Sequence, residues 1–234
     1  MATLSKANSA ALIIPALDEE PAIGQTLGRV PRDLYREIIV ADNGSRDRTA
    51  EIARSHGATV VWEPERGYGA ACLRAISALP NNIEAVVFMD ADASDDPAEA
   101  LLLLEPIYEG RADLVIGSRT LGHAEKGALE PHQVLGNRIA TGIIHAFYGH
   151  RYTDLGPFRA IRAEALQRLA MRDRNYGWTI EMQIKALRHK MRVLEVPVSY
   201  RRRVGVSKIS GNWRASIAAG VKIMWTAFRL IATR

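Results

Sequence analysis

The first half of the chain alternates short apolar runs with segments of helical length, and this alternation restricts the fold more than any other feature. The runs are rich in β-branched residues and apolar on both faces, which is typical of buried parallel strands. They lie at Ala11–Pro15, Glu37–Ala41, Ala58–Trp62, Ala85–Met89 and Asp113–Ile116. The helical segments between them are Pro21–Val30, Thr49–His56, Tyr68–Leu79 and Pro97–Tyr108. The pattern predicts an α/β fold with a doubly wound, mostly parallel sheet and helices on both faces.

The second half of the chain has a different character. Residues 120–133 show no periodicity and contain turn-forming residues, so we expect them to form a mobile loop or lid. Three helices are predicted after it, at Gly136–Tyr148, Ala163–Met171 and Trp178–His189. A last strand is predicted at Arg192–Pro197.

The composition is that of a soluble globular protein, since 47% of the 234 residues are hydrophobic and 24% are charged. The single cysteine, Cys72, cannot form an internal disulfide, which fits a reducing compartment. No secretory signal is visible, and no uncharged apolar stretch reaches the ~18–20 residues that a membrane span requires. We therefore expect a cytoplasmic protein, with any membrane contact peripheral and on the inner face.

Positive charge is concentrated near the C-terminal end. The net charge is +5, and no acidic residue follows Glu195, whereas eight basic residues do. Such a segment favours an anionic partner, either a phosphate group, an acidic membrane surface or a nucleic acid. The nucleic acid is disfavoured because the segment contains no recognisable nucleic-acid motif, and because carboxylates after the strands would repel phosphates unless a metal intervened.

Carboxylates, glycines and arginines follow nearly every predicted strand. Ligands of a doubly wound sheet gather at the carboxyl ends of the strands, so these residues are expected to form one site. Asp90 and Asp92, directly after the fourth strand, have the spacing to hold one hard divalent cation. The alternative for this pair is an acidic turn before a helix. Asp42 ends the second strand at the same edge and is expected to touch the ligand.

A glycine-containing loop, residues 66–71, precedes the third predicted helix. Free N–H groups at a helix N-terminus attract anions, so Gly67 is a candidate for phosphate contact. The first strand is not followed by G-x-G-x-x-G, and the chain contains no G-K-[ST]. A nicotinamide-dependent dehydrogenase and an NTPase are therefore disfavoured.

Seven short motifs occur in order along the chain. They are Ile14–Glu19, Ala41–Thr49, Gly67–Ala71, Asp90–Asp92, Gly117–Arg119, Thr153–Arg159 and Arg202–Lys208. Together they resemble family-2 glycosyltransferases with the GT-A fold, and most closely the branch that includes dolichol-phosphate mannosyltransferases and bacterial polyprenyl-phosphate glycosyltransferases. The resemblance extends from about residue 10 to residue 211.

The resemblance implies an inverting enzyme that moves a sugar from a nucleotide-sugar, of the GDP-mannose or UDP-glucose type, to a polyprenyl phosphate. Asp90 and Asp92 would bind Mg²⁺ or Mn²⁺ bridging the donor diphosphate, where the cation acts as a Lewis acid. The residues implied to bind the nucleotide-sugar are Pro15, Ala16, Glu19, Asp42, Gly67, Asp90 and Ala91. The alternative keeps this donor and gives it a soluble or saccharide hydroxyl acceptor.

The resemblance also assigns residues to catalysis and to phosphate binding. Asp92, Arg119 and Asp154 are implied to be catalytic, with Asp154 either a base or a carboxylate that orients the acceptor. A phosphate acceptor is already ionised near neutral pH, so Asp154 would then orient it. The residues implied to grip phosphate groups are Arg159, Arg202, Ser207 and Lys208.

The chain departs from the pattern of these relatives at several positions. Ser94 stands where relatives commonly have a glutamine that completes the metal site, so a water or Asp95 would take that place. Asp18 replaces a usual asparagine, Asn43 a usual aspartate of the base-binding pair, and Tyr68 a more usual lysine-like residue. These departures leave the identity of the donor open.

We expect residues 1–211 to form the catalytic domain and residues 212–234 a basic amphipathic helix. Apolar residues recur there every three or four positions, at Trp213, Ile217, Val221, Met224, Phe228 and Ile231. Tryptophans on a basic amphipathic helix suit the interface of an anionic membrane, and the alternative is that the stripe packs on the protein's own core. Any membrane contact is expected to be peripheral or made through a homo-oligomer.

Overall fold

The structure is a computed structural model that describes residues 8–205 and 213–232, the side chains of residues 213–219 excepted. In these residues the strands are Ala10–Ala16 (β1), Tyr35–Asp42 (β2), Thr59–Trp62 (β3), Ala85–Phe88 (β4), Leu114–Ala124 (β5), Arg159–Arg162 (β6) and Val193–Tyr200 (β7). The α-helices are Glu20–Gly28 (α1), Thr49–Ser55 (α2), Tyr68–Ser77 (α3), Ala100–Tyr108 (α4), Pro131–Tyr148 (α5), Ala163–Leu169 (α6), Trp178–Arg188 (α7) and Trp213–Ala232 (α8). Short 3-10 turns precede β2 and α4.

The strands form one sheet in the order β3-β2-β1-β4-β6-β5-β7. The first four strands run parallel, β6 runs antiparallel to both of its neighbours, and β5 is parallel to β7. The chain moves outward from β1 to β2 and β3 and then returns to place β4 on the other side of β1. This reversal opens a crevice at the carboxyl ends of β1 and β4, where α/β sheets bind their ligands.

Apolar side chains cover both faces of the sheet. Along β1, Ile13 packs with the cluster that includes side chains of α3, α5, α6, α7 and α8, whereas Leu12 and Ile14 pack with those of α1, α2 and α4. Successive side chains of a strand point to opposite faces, so a strand that is apolar throughout is buried on both. The predicted doubly wound, mostly parallel sheet with helices on both faces is confirmed.

The predicted lid is shorter than expected. Residues 120–124 continue strand β5, and His123 and Ala124 pair with Ser199 and Tyr200 of β7. Only residues 125–130 form the loop before α5. The sequence also does not predict β6, which has four residues and owes its conformation to pairing with β4 and β5 on either side.

Helix α8 follows the predicted period but buries a different side. Ala227 and Leu230 are buried, whereas Val221 and Phe228 of the predicted stripe are 63% and 50% exposed. Val221 and Phe228 therefore do not pack on the core, and Met224 and Ile231 are half-buried. Among the described helices, none combines the length and hydropathy of a membrane span. The expected boundary at residue 211 lies outside the described residues.

Candidate active site

The crevice at the carboxyl ends of β1 and β4 encloses a cavity of about 260 Å³. Asp92 and all but one of the residues predicted to bind a nucleotide-sugar lie on its wall: Pro15, Ala16, Glu19, Gly67, Asp90 and Ala91. The wall also contains residues to which the sequence assigned no binding role, namely Leu17, Asn43, Arg66, Tyr68, Ala71, Asn175, Tyr176 and Arg203. The structure thus brings the predicted donor residues together, and their role in binding stays a prediction.

Asp42, the remaining predicted donor residue, is not on the cavity wall. Its Oδ1 accepts a hydrogen bond from the N–H of Ser45 at 3.2 Å and stabilises the turn after β2. The neighbouring Asn43 takes its place on the wall. Asn43 Nδ2 donates to the carbonyl of Glu65 at 2.7 Å, and its Oδ1 accepts from the N–H of Gly67 at 2.8 Å. A carboxamide can do both, and it joins the end of β2 to the glycine loop.

Two glycines at the start of α3 allow another part of the main chain to approach closely. A Cβ at Gly67 would fall 2.0 Å from the carbonyl oxygen of Arg174, and one at Gly69 would fall 2.0 Å from that of Asp173. Gly67 also has a φ of 152°, which side-chain-bearing residues rarely adopt. The N–H of Ala70 donates to the Arg174 carbonyl at 2.9 Å. The carbonyl thus uses a donor at the N-terminus of α3 that the sequence suggested for phosphate.

The approaching segment is the loop of residues 172–177 between α6 and α7, hereafter the 172–177 loop. It places Asn175 and Tyr176 on the cavity wall. Buried Glu181 on α7 accepts hydrogen bonds from the N–H groups of Arg172 at 3.1 Å and Asp173 at 2.6 Å. Sequence reasoning missed this loop, whose only signal was a polar, non-periodic stretch between two helices.

Three carboxylates lie together in and just after the turn that follows β4. Burial and then the charge of Asp92 raise the pKa of Asp90 to about 7, although a hydrogen bond from Tyr68 opposes the shift. Burial and the charges of Asp90 and Asp92 likewise raise the pKa of Asp95 well above its ordinary value. Poorly solvated carboxyl groups this close together disfavour further negative charge. The turn is therefore electrostatically unfavourable when all three carboxyl groups are charged.

The chemistry of this turn fits a hard divalent cation, which prefers oxygen ligands. Oδ1 of Asp95 is buried and accepts no hydrogen bond from the described residues. Ser94 donates its hydroxyl and its N–H to Oδ1 of Asp92, so it orients a carboxylate instead of lining the cavity. Within the described residues no three His, Cys, Asp or Glu side chains are arranged as metal ligands. Asp90 and Asp92 thus offer the kind of carboxylate pair with which Mg²⁺ is often held, the other positions going to water and phosphate.

An arginine from the segment after β7 reaches the acidic turn. Nη2 of Arg203 lies 2.9 Å from Oε1 of Glu19, and its Nη1 lies 3.4 Å from Oδ2 of Asp92. Arg202, which the sequence predicted to grip phosphate, points elsewhere, because its guanidinium donates to the carbonyl of Lys126. Arg203 thus lines the cavity and Arg202 does not, and a role of Arg202 in binding phosphate stays a prediction.

Arg119 and Asp154 form a bidentate ion pair near the acidic turn. Nε and Nη2 of Arg119 lie 2.8 and 2.7 Å from the two carboxylate oxygens of Asp154, and the ring of Tyr200 lies 5.0 Å from the guanidinium carbon. Burial alone would lower the pKa of Arg119, but the hydrogen bonds and charge of Asp154 raise it above the ordinary value. Both oxygens of Asp154 are thus engaged, which suits a residue that positions Arg119 better than a free base.

The loop that carries Asp154 is fixed by a carboxylate that the sequence did not single out. Glu195 on β7 accepts hydrogen bonds from the N–H of Thr153 at 2.9 Å and from the N–H of Asp154 at 3.1 Å. The partners are about forty residues apart along the chain. The pairing of β5 with both β6 and β7 brings Glu195 close to the loop that precedes β6.

Arg159 does not reach the cavity. It is fully buried, and its guanidinium donates to the carbonyls of Leu155 and Gly156. Burial lowers its pKa to about 10, so it is still charged at neutral pH. Arg159 therefore holds the 153–156 loop from beneath, and its predicted role in gripping phosphate stays a prediction. Ser207 and Lys208 lie outside the described residues.

Comparison with known proteins places these features in a family. Residues 11–170 match the model described as Glycosyl transferase family 2. An uncharacterized glycosyltransferase of Mycobacterium tuberculosis is 36% identical over 213 residues, which cover 89% of this chain and 93% of that protein. An undecaprenyl-phosphate mannosyltransferase of Micrococcus luteus is 30% identical over 214 residues, covering 86% and 87% respectively.

A solved structure confirms the fold. The crystal structure of glucosyl-3-phosphoglycerate synthase from Mycobacterium tuberculosis, in complex with Mn²⁺, uridine diphosphate and glucosyl-3-phosphoglycerate, matches with a TM-score of 0.80. The match covers 99% of this chain and 82% of that one at 21% identity, so it shows the shared GT-A fold alone. Since the family model spans well over half of the chain, and a relative above 30% identity spans most of it, the chain belongs to glycosyl transferase family 2.

Proposed function

We propose that this glycosyltransferase moves a sugar from a nucleotide-sugar to the phosphate of a polyprenyl phosphate, with the help of Mn²⁺ or Mg²⁺. The observation that carries the proposal is the cavity, in which the acidic pair Asp90 and Asp92 and the cationic Arg203 share one wall with the predicted donor residues. The acceptor class is supported by the Micrococcus luteus relative, which is named for undecaprenyl phosphate.

In this proposal Pro15, Ala16 and Glu19 contact the nucleoside, and the acidic turn lies at the diphosphate. Asp90 and Asp92 would hold the cation, which supplies Lewis-acid charge to the departing diphosphate. The fold neighbour crystallised with Mn²⁺ and uridine diphosphate supports this choice of cation and donor class. Arg203 is placed to donate to phosphate oxygens, because a guanidinium can bind two of them at once.

A phosphate acceptor is consistent with Asp154 having both carboxylate oxygens bonded to Arg119. A phosphate monoester has a second pKa of about 6, so it is an anionic nucleophile at neutral pH and needs no base. Asp154 then holds Arg119 towards the anion. The reaction is a single displacement, in which an acceptor phosphate oxygen bonds to the anomeric carbon while the bond from that carbon to the donor diphosphate breaks. Such a displacement inverts the configuration of the sugar.

A lipid acceptor requires a surface that meets the membrane, and helices α5 and α8 offer one. The two helices pack against each other and expose large apolar side chains, namely Leu135, Ile139, Phe147, Val221, Trp225 and Phe228. Neither helix contains an acidic residue. Asn137 of α5 donates to the carbonyl of Thr153 at 3.0 Å, so this α5–α8 face adjoins the loop that carries Asp154. We propose that the face rests on an anionic bilayer, which favours apolar and basic helices.

A transfer assay tests the proposed function. The protein is incubated with Mn²⁺, a short polyprenyl phosphate and labelled GDP-mannose or UDP-glucose in parallel, and label entering the organic phase is counted. We expect transfer from one donor that EDTA and Asp92→Asn abolish. Asp33→Asn is the matched control. Asp33 is an exposed carboxylate just before β2, at the amino ends of the parallel strands, whereas the cavity lies at their carboxyl ends. If the nucleotide-sugar binds but no donor labels the lipid, the proposal of a lipid acceptor is wrong. The acceptor is then a soluble molecule or a saccharide hydroxyl.

A further inference from the structure

We propose that Asp173 is a positioning residue that couples helix α8 to the nucleotide pocket through the 172–177 loop. The inference rests on the proposed function in one respect, the identification of the cavity as the nucleotide site. It assigns to the buried side of α8 a task in addition to any contact of its exposed side.

The carboxylate of Asp173 bonds to the loop and to the helix at the same time. It is only 3% exposed. Its Oδ1 accepts from the N–H of Asn175 at 2.8 Å and from the N–H of Gly177 at 3.1 Å. Its Oδ2 accepts from the hydroxyl of Thr226 at 3.1 Å and lies 3.8 Å from Nζ of Lys222. One buried side chain therefore joins the second half of the loop to α8.

The loop and the helix are also in direct steric contact. A Cβ at Gly177 would fall 2.4 Å from Oγ1 of Thr226 and 2.5 Å from Oδ2 of Asp173. The main chain at Gly177, the Thr226 hydroxyl and the Asp173 carboxylate therefore leave no room for another atom between them. A displacement of α8 at Thr226 must be followed by the loop or must break the hydrogen bond.

The other side of the same loop forms part of the pocket. The carbonyls of Asp173 and Arg174 rest on the start of α3, and Asn175 and Tyr176 line the cavity. The first half of the loop is bonded to α7 through Glu181, whereas the second half relies on Asp173. The side chains that face the nucleotide site thus lie in the half that α8 holds.

The coupling is positive and reciprocal. Seating α8 orders the loop and favours nucleotide binding, and by linkage a bound nucleotide favours the seated helix. Val221 and Trp225 are exposed on the same helix, so contact on that side can act on the donor pocket without touching it.

The coupling is tested by a variant that removes the Thr226 hydroxyl and keeps the volume of the side chain. Thr226→Val should weaken binding of UDP or GDP in the presence of Mn²⁺ by about three- to tenfold, as expected for one lost hydrogen bond. It should also speed hydrogen exchange at the amides of Asn175 and Gly177. Thr226→Ser should restore both values. In turnover, the donor KM should rise more than kcat falls.

A matched control separates the coupling from a general effect of losing a buried hydroxyl. Thr141 is a buried threonine of α5 whose hydroxyl donates to the carbonyl of Asn137 in its own helix. Thr141→Val should change neither nucleotide affinity nor exchange in the 172–177 loop.

Equal nucleotide affinity and equal exchange in Thr226→Val and the wild-type protein would overturn the coupling. Should Thr226→Val fail to fold, Lys222→Ala is the second variant. It removes another partner of the Asp173 carboxylate, and the Lys222 side chain is 40% exposed, so its loss should be tolerated. The expected shift is then smaller and in the same direction, and no shift overturns the proposal. If the wild-type protein binds neither nucleotide, the proposed function fails, and the exchange rates still decide the coupling.

Discussion

Asp90 is a residue whose charge opposes folding. Its carboxyl pKa is raised to about 7 in the folded protein from an ordinary value of 3.8. The folded state therefore binds the proton more tightly than the unfolded state. By linkage, the stability that this group contributes in its protonated form is complete below pH 4 and is lost as the pH rises through 7.

Asp90→Asn should therefore stabilise the metal-free protein and inactivate it. At pH 8 the variant should melt about 2–4 °C above the wild-type protein, because it removes a charge that the fold disfavours. At pH 5 the difference should shrink, since Asp90 is then protonated. Thermal melts at both pH values and Mn²⁺-dependent nucleotide binding check this. A lower melting temperature at pH 8, or nucleotide binding that survives, would contradict the role of Asp90.

Arg119 and Asp154 should behave as one unit. Arg119→Ala is expected to lower kcat by about 10²-fold, as is typical when a charged donor to a reacting anion is removed. If Asp154 only positions Arg119, adding Asp154→Asn to Arg119→Ala should cost little more, because residues that act together are not additive. Steady-state kinetics of both single variants and the double variant decide this. Additive losses would mean that Asp154 acts independently, as a base would.

At the scale of elements, the packing of the 172–177 loop on α3 should tolerate no side chain at Gly69. Gly69→Ala would place a Cβ 2.0 Å from the carbonyl of Asp173, so the loop must move. We expect a loss of about 1–3 kcal/mol in unfolding free energy, together with weaker nucleotide binding.

Gly136→Ala is the control for this prediction. Gly136 lies inside α5, and apart from its own stretch of helix no described atom comes within 4 Å of an added Cβ, so alanine should stabilise the helix by about 0.5–1 kcal/mol. Chemical denaturation and nucleotide titration of both variants measure the effects. A Gly69→Ala protein as stable and as tight-binding as the wild type would show that the loop adapts.

Strands that contain a run of apolar, β-branched residues were predictable, and extended segments without such a run were not. The apolar runs that form β1, β2 and β4 are evident in the sequence. Residues 120–124 have no apolar alternation, and they are extended because β7, some 75 residues later, pairs with them. Strand β6 is short and carries arginines at both ends, so its pairing with two neighbours overrides a weak local signal.

At the scale of the whole molecule, the α5–α8 face should bind anionic membranes. The protein should float with vesicles that contain an acidic phospholipid. It should float less with neutral vesicles or at high salt. Trp225→Ala should weaken it severalfold. Trp62→Ala is a matched control, because Trp62 is 62% exposed on the edge strand β3 and Trp225 is 63% exposed. Equal losses for the two variants, or binding independent of lipid charge, would contradict the proposed orientation.

The position of the site was predictable because sheet topology gathers the residues that follow parallel strands. The orientation of single side chains was not. A run of three arginines follows β7, and only the contact of that segment with the acidic turn makes Arg203, not Arg202, line the cavity. Likewise Arg159 carries the charge expected of a phosphate ligand, but the loop above it buries that charge. Local sequence states which groups are present, and tertiary packing decides which of them face the ligand.

A comparison of acceptors tests the central claim most directly. With the active donor and Mn²⁺, the protein is offered a short polyprenyl phosphate and the matching polyprenol, which differ only in the phosphate group. The account predicts labelled product from the phosphate alone. Transfer to the polyprenol or to a saccharide hydroxyl, with none to the polyprenyl phosphate, would contradict it.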